Sequence, residues 1–221
     1  MSEKYNTQGK VIIMTLGESS VGKTSFINKY VENTFNNLMT STIGIEYHSK
    51  KITLPTGEEI EITIYDTPGQ EQYNTITASV IRSAEGILLI YDITKQKTFD
   101  KLNKWFNKIR EIKGEDFPMV LIGNKCDLEE HRVIYRDEGE KLARENEIQF
   151  FETSCVDRTN IENSVLILTY EIIEKQKKER LKALEEEEKE KKEGKVINQS
   201  KIKFKLKNKK ENKKEKKKHC C

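Results

Sequence analysis

Four short segments have the hydrophobic patterns of β-strands. Residues 11–16 form an apolar run that ends at a glycine, and residues 86–91 and 119–123 are continuously apolar, as is typical of buried parallel strands. Residues 59–65, EIEITIY, instead alternate isoleucine with polar residues, and this period of two favours a strand at the edge of a sheet.

Helical periodicity separates these strands. It runs from about residue 23 to 31 and again at about 98–112, 136–146 and 160–180. Strands that alternate with helices after a first hairpin predict an α/β fold, with a doubly wound, mostly parallel sheet flanked by helices. Ligand-binding loops in such a fold follow the carboxyl ends of the strands.

Charge divides the chain into two parts of opposite sign. Of its 40 Lys/Arg and 37 Asp/Glu residues, 20 and 9 lie at 175–221, which gives +11 there and leaves 20 and 28, or −8, elsewhere. The basic segment favours an anionic partner, either a membrane surface or nucleic acid. Its first part, with EEEE at 185–188, has Glu/Lys pairs that could prolong the last helix, whereas the Lys-rich remainder has too little apolar surface to fold alone.

These patterns predict an N-terminal extension at 1–9, a single globular domain at 10–175 and a flexible Lys-rich tail at 176–221. The N-terminus lacks the apolar core of a secretory signal, and no run approaches the roughly 18 apolar residues of a membrane span. The four cysteines show neither metal-ligand spacing nor a disulfide framework. We therefore expect a reducing, cytosolic setting and peripheral membrane attachment.

Residues 17–24, GESSVGKT, match the phosphate-binding pattern G-x-x-x-x-G-K-[ST] after an apolar strand and before a helix. The glycines let the backbone wrap around phosphates, and the helix N-terminus faces their charge. Lys23 would reach the β- and γ-phosphates, and the Thr24 hydroxyl would bind Mg²⁺. The predicted phosphate-binding residues are Gly17, Glu18, Ser19, Ser20, Val21, Gly22, Lys23, Thr24 and Ser25.

The sequence NKCD at 124–127 follows the buried strand at 119–123 and predicts the choice of base. The Asp127 carboxylate would accept hydrogen bonds from the ring N–H and the exocyclic amine of guanine, whereas adenine offers no matching pair of donors. A lone N-K-x-D is equally often a polar turn, but here it stands about a hundred residues after a phosphate loop. The predicted substrate is therefore GTP, and GDP the product.

A third loop, DTPGQE at 66–71, follows the alternating strand. Asp66 is placed to hold Mg²⁺ through water, the Gly69 amide to sense the γ-phosphate, and Gln70 to orient the attacking water as the catalytic residue. Taken alone, this segment is also compatible with a plain Pro-Gly turn.

These motifs, in this order, resemble the Ras superfamily of P-loop GTPases, and several resemble its Rab branch. The Rab-like segments are STIGIEY at 41–47, LIYDIT at 89–94, GNKCDL at 123–128, ETSC at 152–155 and the terminal pair Cys220-Cys221. The resemblance implies further site residues. Thr42 would contact Mg²⁺ and the γ-phosphate, Phe35 would lie against guanine, and Asn124 and Lys125 would bind the nucleotide with Asp127. Ser154, Cys155 and Val156 would close over the base.

The resemblance also implies a function. A Rab-type GTPase cycles between GDP- and GTP-bound forms as a monomer and recruits effectors for vesicle trafficking. An exchange factor, a GTPase-activating protein, a Rab escort protein and a GDP-dissociation inhibitor would be its regulators. Lipids on Cys220 and Cys221, with the basic tail on an anionic surface, would hold it on the cytoplasmic face of endomembranes beside a cytosolic pool.

Some positions depart from the Rab pattern. Pro68 stands where Ala is usual, Met39 where Tyr is common, and Val156 where Lys is usual. Pro68 and Met39 motivate an alternative, a scaffold that binds GTP but scarcely hydrolyses it. A nucleic-acid partner for the tail is a second alternative, which the terminal Cys220-Cys221 disfavours because a nucleic-acid arm has no need of paired thiols.

Overall fold

The computed structural model describes residues 9–35, 42, 44–67 and 74–218, with backbone only for 74–77 and 190–218. Its first unit, which ends at Ile173, is built on one six-stranded sheet. The strands are β1 Gly9–Leu16, β2 Glu46–Thr53, β3 Glu59–Asp66, β4 Gly86–Asp92, β5 Met119–Asn124 and β6 Gln149–Thr153. The helices are α1 Lys23–Glu32, α2 Asn74–Ser83, α3 Gln96–Asp100, α4 Leu102–Lys113, α5 Arg136–Glu145 and α6 Ile161–Lys218, with a short 3₁₀ turn at Glu129–His131.

The strand order is β2-β3-β1-β4-β5-β6. β1 runs parallel to β3 and β4, β5 parallel to β4 and β6, and only β2 is antiparallel, in a hairpin with β3. This confirms the predicted mostly parallel α/β sheet. It also places the carboxyl ends of five strands at one edge of the sheet, where the loops with the nucleotide motifs begin.

Alternating side chains of the buried strands belong to two hydrophobic cores, one on each face of the sheet. Ile13 and Ile90 pack on one face of the sheet with α1 and the first turns of α6. Met14 and Leu89 pack on the other face with α4 and neighbouring elements. Two-sided burial of this kind explains why β4 and β5 are apolar throughout their lengths.

Three predictions about elements need correction. β3, residues 59–65 in the prediction, is not an edge strand, because β2 pairs with it and takes the edge. Its alternation instead reflects a more buried and a less buried face. The helix predicted at 98–112 is two helices, α3 and α4, separated at Lys101.

The last helix is also longer than the predicted 160–180, since its backbone is helical to Lys218. Lys and Glu are good helix formers, and ion pairs such as Lys175–Glu179 and Lys177–Glu174 are spaced to support a helix. The chain divides into two compact units between Ile173 and Glu174, and the flexibility of the tail stays a prediction. Within the described ranges, no helix is long and apolar enough to cross a membrane.

Candidate nucleotide-binding site

The loop between β1 and α1 requires glycine at two positions. Gly17 and Gly22 have φ angles of +142° and +98°, which side-chain-bearing residues rarely adopt. A Cβ on Gly17 would lie 2.1 Å from the Ile90 carbonyl oxygen, and one on Gly22 would lie 2.4 Å from Nδ2 of Asn124. The loop therefore fits only as a bare backbone against β4 and β5.

Lys23, the first residue of α1, is buried in this loop. Its ammonium donates hydrogen bonds of 2.9 Å to the carbonyl oxygens of Gly17 and Glu18. Burial lowers the pKa of Lys23 to about 8, although the negative charges of Asp66 and Glu18 act in the opposite direction. A desolvated cation at the start of a helix attracts an anion strongly.

Three oxygen-bearing side chains meet beside Lys23. The Thr24 hydroxyl donates to Oδ2 of Asp66 over 2.6 Å and lies 2.9 Å from the Thr42 hydroxyl. Asp66 is fully buried, and within the described part of the chain its Oδ1 has no hydrogen-bond partner. Burial raises the pKa of Asp66, whereas the Thr24 hydrogen bond and the charge of Lys23 lower it. An unpaired buried carboxylate oxygen is costly to leave without a donor or a cation.

Asn124 connects the phosphate loop to the loop after β6. Its buried amide donates to the Val21 carbonyl oxygen over 2.8 Å and accepts from the Thr153 hydroxyl over 3.0 Å. The Cys155 thiol lies 3.6 Å from the same Asn124 oxygen. One side chain thus fixes two loops that come from opposite ends of the domain's sequence.

Lys125 makes a second connection between loops. Its ammonium donates to the Ser20 carbonyl oxygen over 2.9 Å and lies 2.6 Å from Oδ2 of Asp92 at the end of β4. Asp92 is fully buried, and its other oxygen accepts from the Thr94 backbone and hydroxyl. The sequence analysis did not assign Asp92 to the site, although a carboxylate that ends an otherwise apolar strand was a visible signal.

The loop after β6 is held by Ser154, whose buried hydroxyl oxygen accepts from the Val156 and Asp157 amides. Cys155 is buried, and burial raises the pKa of its thiol to about 12. Desolvation likewise raises the pKa of Cys126 to about 11. Neither thiol is a reactive thiolate at neutral pH.

The remaining predicted residues of the base side are exposed. Asp127 is exposed, Phe35 is 40% exposed and Val156 is 52% exposed. Two exposed apolar side chains and an exposed carboxylate have the chemistry needed to cover a flat base and to accept its hydrogen bonds.

Several predicted residues lie outside the described part of the chain. They are Gly69, Gln70, Cys220 and Cys221, together with the departures Met39 and Pro68. The described loops do bring together the residues of the phosphate loop, the Asp66 cluster, Asn124 and Lys125. The roles of all these residues toward a nucleotide stay predictions.

Comparison with known proteins identifies the family. The sequence model of the Ras family matches residues 10–174. The chain is 44% identical to Ras-related protein Rab-10 of Diplobatis ommata over 163 residues, which cover 74% of this chain and 81% of that protein. It is 38% identical to Ras-related protein Rab-13 of Bos taurus over 182 residues, 82% and 88% of the two chains. Identity to Ras-related protein Rab-8B of Pongo abelii is 39% over 175 residues, 79% and 83%. The chain therefore belongs to the Ras family and is a Rab-type small GTPase, an enzyme that binds guanine nucleotide and hydrolyses GTP to GDP.

Proposed function

We propose that the chain is a Mg²⁺-dependent, membrane-attached switch for vesicle trafficking, and that the loops described above hold the nucleotide. The observation that carries the proposal is the meeting of the oxygens of Thr24, Thr42 and Asp66 in one partly buried place beside Lys23. A cation for phosphate and hard oxygen ligands for a divalent ion are the two elements that nucleoside triphosphate binding needs.

Mg²⁺ fits these residues. Its preferred ligands are hydroxyl, carboxylate and water oxygens, and Oδ1 of Asp66 is a buried oxygen to which no described residue donates a hydrogen bond. Within the described residues no group of three His, Cys, Asp or Glu could hold a metal. This agrees with an ion that shares its coordination with phosphate oxygens and water. When bound, Mg²⁺ would neutralise charge on the phosphates.

Each of the protein's own residues would then have a separate role in binding or hydrolysis. Lys23 and the amides of the phosphate loop bind the phosphates, and Asn124 and Lys125 keep the two nucleotide loops in register. Asp127 accepts from guanine, and Gln70 orients the attacking water. Thr42 lies in the Rab-like segment 41–47, so its contact with Thr24 offers a route by which the γ-phosphate orders the surface that effectors bind.

The metal proposal is tested by GDP release. Wild-type protein loaded with fluorescent GDP should release it at least about tenfold faster when EDTA removes Mg²⁺. This increase in rate corresponds to a free-energy change of about 1.4 kcal/mol. In Asp66→Ala the same addition should change the rate less than about twofold, because the ion has already lost an anchor. The exposed Asp137→Asn serves as the control. Equal sensitivity to EDTA in Asp66→Ala and wild type would reject Asp66 as a metal-binding residue.

Membrane attachment is proposed to need both terminal cysteines. A single lipid chain gives only marginal binding, and Lys residues near an anionic leaflet add about 1 kcal/mol each. Residues 201–218 hold 11 Lys and 2 Glu. The lysines should therefore influence which membrane is bound, whereas the lipids should supply most of the free energy of membrane binding. The candidate partners are the ones that the resemblance to Rab proteins implies. They are effectors, an exchange factor, a GTPase-activating protein, a Rab escort protein and a GDP-dissociation inhibitor.

Cell fractionation separates these contributions. A Cys220→Ser/Cys221→Ser protein should become soluble, whereas a protein with half of the tail lysines changed to Gln should stay membrane-bound but redistribute between membranes. A double cysteine variant that remains on membranes would contradict the lipid anchor.

A further inference from the structure

The phosphate loop carries an acidic side chain whose charge has the wrong sign for a phosphate site. Glu18 follows Gly17 directly, and its backbone carbonyl accepts a hydrogen bond from the ammonium of Lys23. The Glu18 carboxylate is close enough for its charge to raise the pKa of Lys23 against the larger effect of burial. A carboxylate this close to the phosphate-binding cation would compete with phosphate if it were free to turn toward it.

The Glu18 carboxylate is bound by Lys101 and Trp105, on the side of the loop that faces α4. Oε2 of Glu18 lies 3.0 Å from the ammonium of Lys101, and Oε1 accepts a 3.2 Å hydrogen bond from the indole Nε1 of Trp105. Each oxygen therefore has its own donor. The Glu18 side chain is only 15% exposed, so these two contacts replace much of its hydration and fix its direction.

The two donors are fixed by the packing of α4 against the core. Lys101 immediately precedes α4, and Trp105 lies one turn into that helix. Leu102 and Phe106 are buried in the core beneath the helix, and the Trp105 ring packs against the same core. Because α4 is fixed by this packing, the donors hold Glu18 in one place.

We propose that Lys101 and Trp105 are positioning residues that keep the Glu18 carboxylate on the α4 side of the phosphate loop, which leaves Lys23 free to serve the phosphates. This inference rests on the proposed phosphate-binding role of Lys23. It assigns a nucleotide-related role to Trp105.

Nucleotide release tests the proposal through a rescue. Lys101→Gln removes the cation but not the carboxylate, so it should release GDP on the order of tenfold faster than wild type, a change of about 1.4 kcal/mol. Adding Glu18→Gln removes the competing charge and should slow release again by at least about threefold relative to Lys101→Gln. Lys104→Gln, an exposed lysine on the same helix, should release GDP like wild type.

Fluorescence gives a readout that general destabilisation would not reproduce. Trp105 is the only tryptophan of the chain, so the emission of the folded protein reports its surroundings. Emission should shift in Glu18→Gln, where the indole loses its charged acceptor, and stay unchanged in Lys104→Gln. Trp105→Phe, which keeps a ring but loses the N–H donor, should speed release in the same direction as Lys101→Gln.

The outcomes separate this inference from the proposed function. Release from Lys101→Gln at the rate of Lys104→Gln, or a double variant as fast as Lys101→Gln, would overturn the positioning role while leaving guanine-nucleotide binding intact. A wild type that retains no GDP in the presence of Mg²⁺ would overturn the proposed site and this inference with it.

Discussion

The two sides of the site differ in how their polar groups are satisfied. On the base side, the amide of Asn124 has protein partners at both its nitrogen and its oxygen, and Ser154 caps two backbone amides. On the phosphate side, Lys23 is a desolvated cation held by two carbonyl oxygens, and one buried oxygen of Asp66 has no hydrogen-bond partner among the described residues. The base side is thus organised by contacts within the protein, and we propose that the phosphate side gains further partners from the ligand.

This difference assigns separate tasks to the two sides. A preorganised frame costs little to use, and we propose that one exposed carboxylate, Asp127, decides which base fits. Desolvated buried charges, in contrast, favour the bound state because the ligand offsets the cost of their burial. Affinity should therefore come mainly from the phosphate side and selectivity from the base side.

The largest effect is expected from Asn124→Ala, because that side chain joins the two sides. The substitution removes the hydrogen bonds that Asn124 makes with the Val21 carbonyl and the Thr153 hydroxyl, at about 1–3 kcal/mol each. We expect the free energy of unfolding to fall by about 2–4 kcal/mol in urea denaturation of the GDP-bound protein, with weaker GDP binding as well. Asn163→Ala, an exposed asparagine, is the control. A loss below about 0.5 kcal/mol, the range of ordinary surface substitutions, would mean that Asn124 does not join the loops.

A smaller effect is expected from Asp92→Asn, which breaks the link between the sides at Lys125. The amide retains the acceptor for Thr94 but loses the charge that holds the ammonium against the Ser20 carbonyl. GDP dissociation should rise about five- to tenfold, a change of about 1 to 1.4 kcal/mol. Stopped-flow release of fluorescent GDP measures it, with exposed Asp100→Asn alongside. Unaltered release would show that Lys125 is held in place without Asp92.

The smallest effect is expected from Val156→Lys, which changes only the exposed cover of the base side. A lysine there would lay its alkyl stem beside the base and keep its charge in water. We expect GDP affinity to rise no more than about threefold, the scale of exposed charge interactions. Equilibrium titration of GDP into Val156→Lys, Val156→Gln and wild type separates the contribution of the charge to affinity from that of the alkyl stem. A gain of a hundredfold would mean that selectivity and affinity are not divided as described.

Local patterns predicted most of the fold and the individual nucleotide loops. Runs and alternation located four of the six strands, β1, β3, β4 and β5, but not β2 or β6. The spacing of Gly17, Gly22 and Lys23 predicted the phosphate loop, in which both glycines are required by local backbone geometry. Strand order could not be predicted in the same way. Alternation in β3 shows that its two faces differ, but the pairing with β2 that moves it from the edge is a long-range contact.

The unpredicted parts of the site have the same origin. Glu18 meets Trp105 across 87 positions, and Lys125 meets Asp92 across 33. Neither pair belongs to a continuous motif, so only the folded sheet brings them together. The break between α3 and α4 at Lys101 is a local turn that helical periodicity did not show.

We propose that Asp127 selects guanine on a preorganised base side while the phosphate side supplies the affinity. Competition against bound fluorescent GDP, with GDP, XDP and ADP as competitors, measures this selectivity in wild type and in Asp127→Asn. Wild type should prefer GDP over the other two nucleotides by at least about a hundredfold. In Asp127→Asn, with fluorescent XDP as the bound probe, preference should shift to XDP while Mg²⁺-dependent retention persists. Equal competition by ADP and GDP in wild type, or an Asp127→Asn protein that still prefers GDP, would mean that Asp127 does not select the base.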